Sequence, residues 1–352
     1  MKRLLEIYSP SGKEAEVGAF IANEMGKLGF KVRKDKVGNI LGEVGNGKTT
    51  LLLCSHMDTV PGYIPVRMVD GKLYGRGAVD AKSPLAAMIL AAHEVAEKIS
   101  GKILVACAVD EERKSRGVKH LIREGLKADY AIFGEPSGTE NIVIGYKGRL
   151  LLKITCKTEN GHSATPWLFE NSIEKAFEIW ELLKGIHFSN EKLGSPFYST
   201  TTCLIKIRGG EKSSKVPSKC EALIDIRIPP QLTCQQMYEE VSGKIKAYQK
   251  SNPKVSVDVK IEDLIEPFET DTNNRLVQVL SSTIRRLKGK QPMLLRKTGS
   301  GDMNFLGKAL GIPIVTYGPG NSKLDHTSNE HVEIKEYLNS IQILKEALPK
   351  LF

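Results

Sequence analysis

Residues 50–58, Thr-Leu-Leu-Leu-Cys-Ser-His-Met-Asp, run from an apolar strand straight into a histidine and an acid, and this junction decides how the chain folds. Residues 102–112, KILVACAVDEE, repeat the pattern with Asp110, Glu111 and Glu112, and residues 128–135, ADYAIFGE, repeat it with Glu135. Short unbroken apolar runs predict strands covered on both faces, as in parallel sheets. Between the first two, Ser83 to Ile99 is alanine-rich and predicts a helix. Strand, helix and strand in alternation imply an α/β sheet flanked by helices. The carboxyl ends of such strands form the ligand crevice, so polar residues scattered along the chain converge there.

Upstream, Leu4, Leu5 and Ile7, then Val17, Phe20, Ile21, Met25 and Leu28, predict two helices. Ser9-Pro10-Ser11-Gly12 separates them, with a serine expected to cap the second. From about Arg149 the texture changes. RLLLKITCKT, a helix near 171–186, TTTCLIKIRGG, KCEALIDIRI, a helix near 233–250 and KVSVDVKIED give β, α, β, β, α, β, the ferredoxin-like order. After Glu266-Pro267 the α/β texture returns with a helix at 273–288, the strand IPIVTYG and a helix from Ile334. The expectation is an α/β domain of residues 1–148 and 266–352, split by an inserted ferredoxin-like α+β domain of residues 149–265.

Bulk properties narrow the classes. The chain has 352 residues, above the roughly 250 to 300 at which one core stops growing. No apolar run reaches the ~20 residues of a membrane span, and MKRLLEIYSPSGKE lacks the features of a secretory signal, so a cytoplasmic protein with no membrane association is expected. Six scattered cysteines without a C-x-x-C pair suit reduced structural thiols. The net charge of +10 is dispersed and has no aromatic-basic motif beside it. That argues against nucleic acid and leaves room for an acidic partner. Gly42 to Thr49 satisfies the G-x-x-x-x-G-K-[ST] spacing of a phosphate loop, but a β-branched apolar strand follows where a helix is required. A hairpin turn is expected there instead.

The remaining polar residues at apolar ends are His56, Asp58, Asp80 after GRGAV, Asp110 to Glu112, Glu135, and Asp325 with His326 after IPIVTYGPGNSK. Each alone reads as a cap or a salt-bridge partner. Together they place several carboxylates in one crevice, which is prohibitive without a compensating cation. Two divalent ions against Asp80, Glu112, Glu135 and two neutral imidazoles leave a small positive surplus that a bound hydroxide would neutralise. Histidine and carboxylate donors without thiolate suit zinc, cobalt or manganese better than calcium.

Ser55-His56-Met57-Asp58-Thr59-Val60-Pro61, Gly75-Arg76-Gly77-Ala78-Val79-Asp80-Ala81-Lys82, Asp110-Glu111-Glu112 and Gly134-Glu135-Pro136 resemble the motifs of the M20-type metallopeptidases and deacylases. The likeness spans nearly the whole chain and implies a zinc-peptidase-like catalytic domain with a central mixed sheet, and an inserted domain that makes a homodimer. It implies that Asp80 bridges two metal ions (Zn2+ or Co2+, with Mn2+ possible). His56 and Glu135 would complete one site, and Glu112 and His326 the other. Asp58 would orient His56, Glu111 would act as general base, and His162, in Gly161-His162-Ser163-Ala164, would stabilise the oxyanion of a partner's site. Arg227 would bind a substrate carboxylate, and Thr298, Gly299, Ser300, Gly301 and Asp302 would line the pocket, with Asp302 facing a basic side chain or capping a turn. Ser214 departs from the family, which usually has an asparagine there.

Within the family, Arg296 to Asn304 and Tyr317 to Thr327 look closest to hydrolases of carrier-protein-dependent lysine and arginine biosynthesis. That resemblance implies release of lysine or ornithine from the C-terminal glutamate side chain of a small acidic amino-group carrier protein. The alternative is a deacylase or exopeptidase acting on a small free substrate.

Overall fold

The computed structural model describes residues 1–192, 194–210 and 214–352. They form two compact units, one of Met1–Gly145, Glu269–Arg296 and Gly301–Phe352, the other of Tyr146–Phe268 and Lys297–Ser300. In chain order the first stretch contains α1 (Lys2–Glu6), α2 (Ala15–Lys27), β1 (Lys31–Lys34), β2 (Ile40–Gly45), β3 (Thr50–His56), β4 (Arg67–Val69), β5 (Lys72–Tyr74), α3 (Lys82–Val95), β6 (Lys102–Ala108), α4 (Arg116–Arg123), β7 (Tyr130–Phe133) and β8 (Asn141–Tyr146). Then come β9 (Gly148–Lys157), β10 (Gly161–His162), α5 (Ser172–Lys184), β11 (Thr201–Gly209), β12 (Lys215–Val216), β13 (Lys219–Ile228), α6 (Cys234–Ser251) and β14 (Ser256–Ile265). The chain ends with β15 (Phe268–Glu269), α7 (Arg275–Lys288), β16 (Met293–Lys297), α8 (Asp302–Leu310), β17 (Ile314–Thr316), β18 (His331–Glu333) and α9 (Ile334–Ala347).

The first unit is built on a mixed sheet in the order β1-β2-β6-β3-β7-β17-β8-β15, with β16 beside β8. Strands β6, β3, β7 and β17 are parallel to one another. Strand β2 is antiparallel to β6 at one side and β8 antiparallel to β17 at the other. The all-apolar run Leu51 to Cys54 is completely buried because the central strands are covered on both faces, each leucine contributing about 1.5–3 kcal/mol. Helix α3 is buried around most of its circumference, as its run of alanines permits.

Two local expectations are corrected. The turn after β2 is not a hairpin, because β6 lies between β2 and β3 in the sheet. It crosses the edge of β6 so closely that a Cβ on Gly47 would stand 1.9 Å from the Ser100 carbonyl oxygen. Steric clearance therefore demands the glycine, and β3, not a phosphate-binding helix, follows it. Helix α2 has no serine cap. Glu14 stands at its N-cap without a capping bond, its carboxylate accepting the Gly12 and Asp110 N–H groups instead, and Ser11 is committed elsewhere.

The second unit is a four-stranded antiparallel sheet in the order β11-β13-β9-β14, the ferredoxin-like arrangement of its βαββαβ sequence. Alternate residues Leu150, Leu152, Ile154, Ile224 and Ile226 turn to one face and pack with Ile179, Leu183, Met237 and Val241 of α5 and α6. No helix among the described residues is long and apolar enough to cross a membrane.

Candidate active site

Four loops at strand ends of the first unit bring the acids and imidazoles together. His56 is the last residue of β3, Glu111 and Glu112 follow β6, Glu135 follows β7, and His326 lies in the loop after β17, while Asp80 precedes Ala81, the N-cap of α3. Asp80 Oδ1 is 3.0 Å from His56 Nε2, which is 3.2 Å from Glu135 Oε1. Asp80 Oδ2 is 2.9 Å from His326 Nε2, which is 3.1 Å from Glu112 Oε1. One carboxylate thus faces two separate His–Glu pairs, one through each oxygen.

A regular strand would send Glu111 and Glu112 to opposite faces. The chain avoids this by turning over residues 111–114 after Asp110, whose φ is 64°. His326 has a φ of 63°. Left-handed backbone is costly for such residues and persists where surrounding contacts impose it.

The charge balance identifies what the cluster accepts. Burial opposes charge on His56, but Glu135, Asp58 and Asp80 outweigh it and push its pKa well up. His326 is pushed up to about 10 by Asp80 and Glu112. Burial would raise the Asp80 carboxyl, yet His326 and His56 hold it far below the usual carboxylate range. Protons on the imidazoles thus stand where cations would sit. Three carboxylates and two imidazoles converging in this way fit a pair of divalent ions.

Metal binding must then expel those protons. Chelating the ions and adding zinc back is expected to release up to about one proton per imidazole and to bind more tightly at about pH 8 than at about pH 6. Calorimetry in buffers of different ionisation enthalpy measures the release. Zinc affinity independent of pH would contradict the assignment of His56 and His326.

Asp58 contacts more than His56. The nearest partner of His56 Nδ1 is the Asp58 backbone carbonyl at 2.9 Å, with the carboxylate at 3.5 Å. The carbonyl accepts the Nδ1 proton of the neutral ring and leaves Nε2 facing the cluster. The Asp58 carboxylate instead accepts the backbone N–H groups of Glu111 and Glu112, at 3.2 and 3.3 Å, and the Ser11 hydroxyl at 2.6 Å. It anchors the turn that carries the general-base candidate. Ser11 was missed as a site residue because Ser9-Pro10-Ser11-Gly12 looks like a helix start. The loop instead runs beside Thr59, with Ser11 N–H donating to the Thr59 carbonyl and Thr59 N–H to the Ser9 carbonyl.

Glu111 makes neither of the close contacts to the histidines. Burial and then Asp302 raise its carboxyl well above the ordinary value. A Cβ on Gly301 would lie 3.0 Å from Glu111 Oε1, so the start of α8 closes over it. Asp302 follows Gly301 in the chain. It is completely buried in the first turn of α8, neither oxygen makes a hydrogen bond of normal geometry, and burial pushes its carboxyl up to about 7. Nor does it cap the turn, because Asn304 accepts the Gly301 N–H. Thr298 and Gly299 are exposed and Ser300 and Gly301 half-buried.

In the second unit Arg227 Nε is 2.8 Å from Asp225 Oδ1, and Arg227 Nη1 donates to Ser300 Oγ at 3.0 Å. His162 is exposed on β10, which pairs with β12. The Ala164 N–H donates to His162 Nδ1 at 3.1 Å. That makes Nδ1 the acceptor, so the neutral ring carries its proton on Nε2 as a donor. Ser214 contributes its carbonyl to the Ser163 N–H.

The model for peptidase family M20/M25/M40 matches residues 52–350. A putative [LysW]-lysine/[LysW]-ornithine hydrolase of Pyrococcus furiosus is 38% identical over 352 residues, covering 100% of this chain and 96% of that protein. The [LysW]-lysine/[LysW]-ornithine hydrolase of Sulfurisphaera tokodaii is 35% identical, covering 97% and 93%. Among solved structures, aminopeptidase PepT of Bacillus cereus superposes with a TM-score of 0.84 at 22% identity, covering 99% of this chain and 96% of that one.

Proposed function

This chain belongs to peptidase family M20/M25/M40, and we propose that, as a metal-dependent hydrolase of amide bonds, it frees lysine, ornithine or both from the C-terminal glutamate side chain of an acidic amino-group carrier protein. The observation that carries the substrate is likeness along the whole chain to hydrolases named for it. The central mixed sheet and the His–Asp–Glu cluster agree with the chemistry.

His56, Asp80 and Glu135 would hold one ion and Asp80, Glu112 and His326 the other. Zinc or cobalt is favoured, with manganese third. Bound there, the ions supply Lewis acidity to the scissile carbonyl and acidify the attacking water. Glu111 takes the proton of that water on its carboxylate and passes it to the leaving amine, a task suited to its raised basicity. Asp58 keeps Glu111 and Glu112 in register by holding both backbone N–H groups. His162 of a second copy presents its Nε2 proton to the oxyanion, and Arg227, steadied by Asp225 and Ser300, binds a substrate carboxylate.

The carrier would meet a basic rim. Lys13, Arg113, Lys114 and Lys323 are exposed close in sequence to Ser11, Glu112 and His326, and none forms a salt bridge among the described residues. Steering by such charges weakens with salt. Purified metal-loaded enzyme is expected to turn over carrier-linked lysine far faster than N-acetylornithine. Its kcat/KM for the carrier should drop about tenfold or more between low and high salt, with little change for the small substrate. Comparable or faster release from N-acetylornithine would refute the carrier assignment and favour a small-molecule deacylase.

A further inference from the structure

Arg76 and Glu330, 254 positions apart in the chain, form a buried ion pair 2.8 Å long. Glu330 is 1% exposed and Arg76 8%. The second carboxylate oxygen, Glu330 Oε1, accepts the backbone N–H groups of Val79 at 3.0 Å and Asp80 at 3.2 Å. Arg76 Nη1 also donates to the Thr327 carbonyl at 3.2 Å, and its Nε to the Gly62 carbonyl at 2.9 Å. The pair therefore grips the backbone of the bridging aspartate with one end and the residue after His326 with the other.

From this geometry we propose that the Arg76–Glu330 pair is a positioning device for the metal centre, setting the separation of Asp80 and His326 and with it the affinity for the second ion. The proposal rests on the dinuclear reading above. His326 reaches Asp80 and Glu112 with a side chain that is 51% exposed, from a left-handed backbone. Its position relative to Asp80 depends on the loop backbone, and the guanidinium ties that loop to the Asp80 loop. Coordination tolerates errors of only about 0.2 Å in ligand distance, so a small slip between the loops would open the second site. As a source of stability alone, a buried ion pair is a weak choice, because apolar replacements are often neutral or better. Here both partners spend their hydrogen bonds on the backbone of ligand-bearing loops.

Zinc binding to Arg76→Lys and Glu330→Gln proteins, measured in competition with a chromophoric chelator, tests this, with the melting temperature of the metal-free proteins followed in parallel. Lysine keeps the charge but cannot span three acceptors. Glutamine keeps an acceptor for the two N–H groups but loses the charge pair. Both variants are expected to bind the first zinc ion within about threefold of wild type and the second about 10–100-fold more weakly, the scale seen when groups behind metal ligands are removed. A lower metal-free melting temperature with unchanged second-ion affinity would overturn the proposal and leave a structural clamp. Should Glu330→Gln fail to fold, Arg76→Lys carries the same measurement. Wild-type protein that binds fewer than two ions would overturn the dinuclear reading and the clamp with it, whereas two ions bound with wild-type affinity by both variants would overturn the clamp alone.

Discussion

Replacing Glu111 with glutamine is expected to lower kcat by about 10²–10⁴-fold while leaving metal content unchanged. Glutamine has nearly the same shape as glutamate, so the turn held by Asp58 and the close approach of Gly301 are preserved. What disappears is a carboxylate able to accept a proton. The ligand cluster is closed by the other side chains, with Asp80 touching His56 and His326 and those rings touching Glu135 and Glu112. Metal analysis and steady-state kinetics on one preparation separate the two roles. A fully active variant would remove Glu111 from proton transfer, and a metal-free variant would make it a ligand.

His162→Ala is expected to cost about 10²–10³ in kcat, the usual loss of one oxyanion donor, with little effect on folding at this exposed position. The proposed placement of His162 in a partner's site has a sharper consequence. Mixing Glu111→Gln with His162→Ala subunits creates hybrid dimers in which one site has both groups. Equal mixtures should recover roughly a quarter of wild-type activity by random pairing. Exchange of subunits without recovery would mean that His162 serves its own chain or none.

The strand ends were the legible part of the site. LLLCSH, KILVACAV and AIFG announce themselves through burial on both faces, and topology obliges the residues after them to meet at the carboxyl ends of parallel strands. What stayed hidden were second partners. Ser11 sits in a serine-proline-serine-glycine segment that composition assigns to a helix start, and only the sheet places it against Asp58. Glu330 follows Asn329 in a polar loop and resembles any solvated acid, yet it is buried beneath Val79 and Asp80. Nothing in its sequence neighbourhood signals that Asp302 is completely buried in the first turn of α8. The hairpin expected within Gly42 to Thr49 failed because local turn chemistry does not reveal that a later strand, β6, inserts between the two it joins.

The place of β17 in the sheet bears on how the protein is made. This three-residue strand, near the end of the chain, lies between β7 and β8, parallel to the first and antiparallel to the second. A ribosome adding about 5–20 residues per second completes β8 and then needs roughly ten to thirty seconds more before residues 314–316 are made. Throughout that time the β7 edge lacks its neighbour, and β8, even once β15 and β16 are made, cannot join the rest of the sheet. The second unit, encoded within this interval, has all its strands available first. The nascent sheet therefore waits with an exposed edge, a state in which chaperones or premature self-association would act on this protein. His326, made later still, means that a stalled chain holds four of the five residues of the His–Asp–Glu cluster and no complete site.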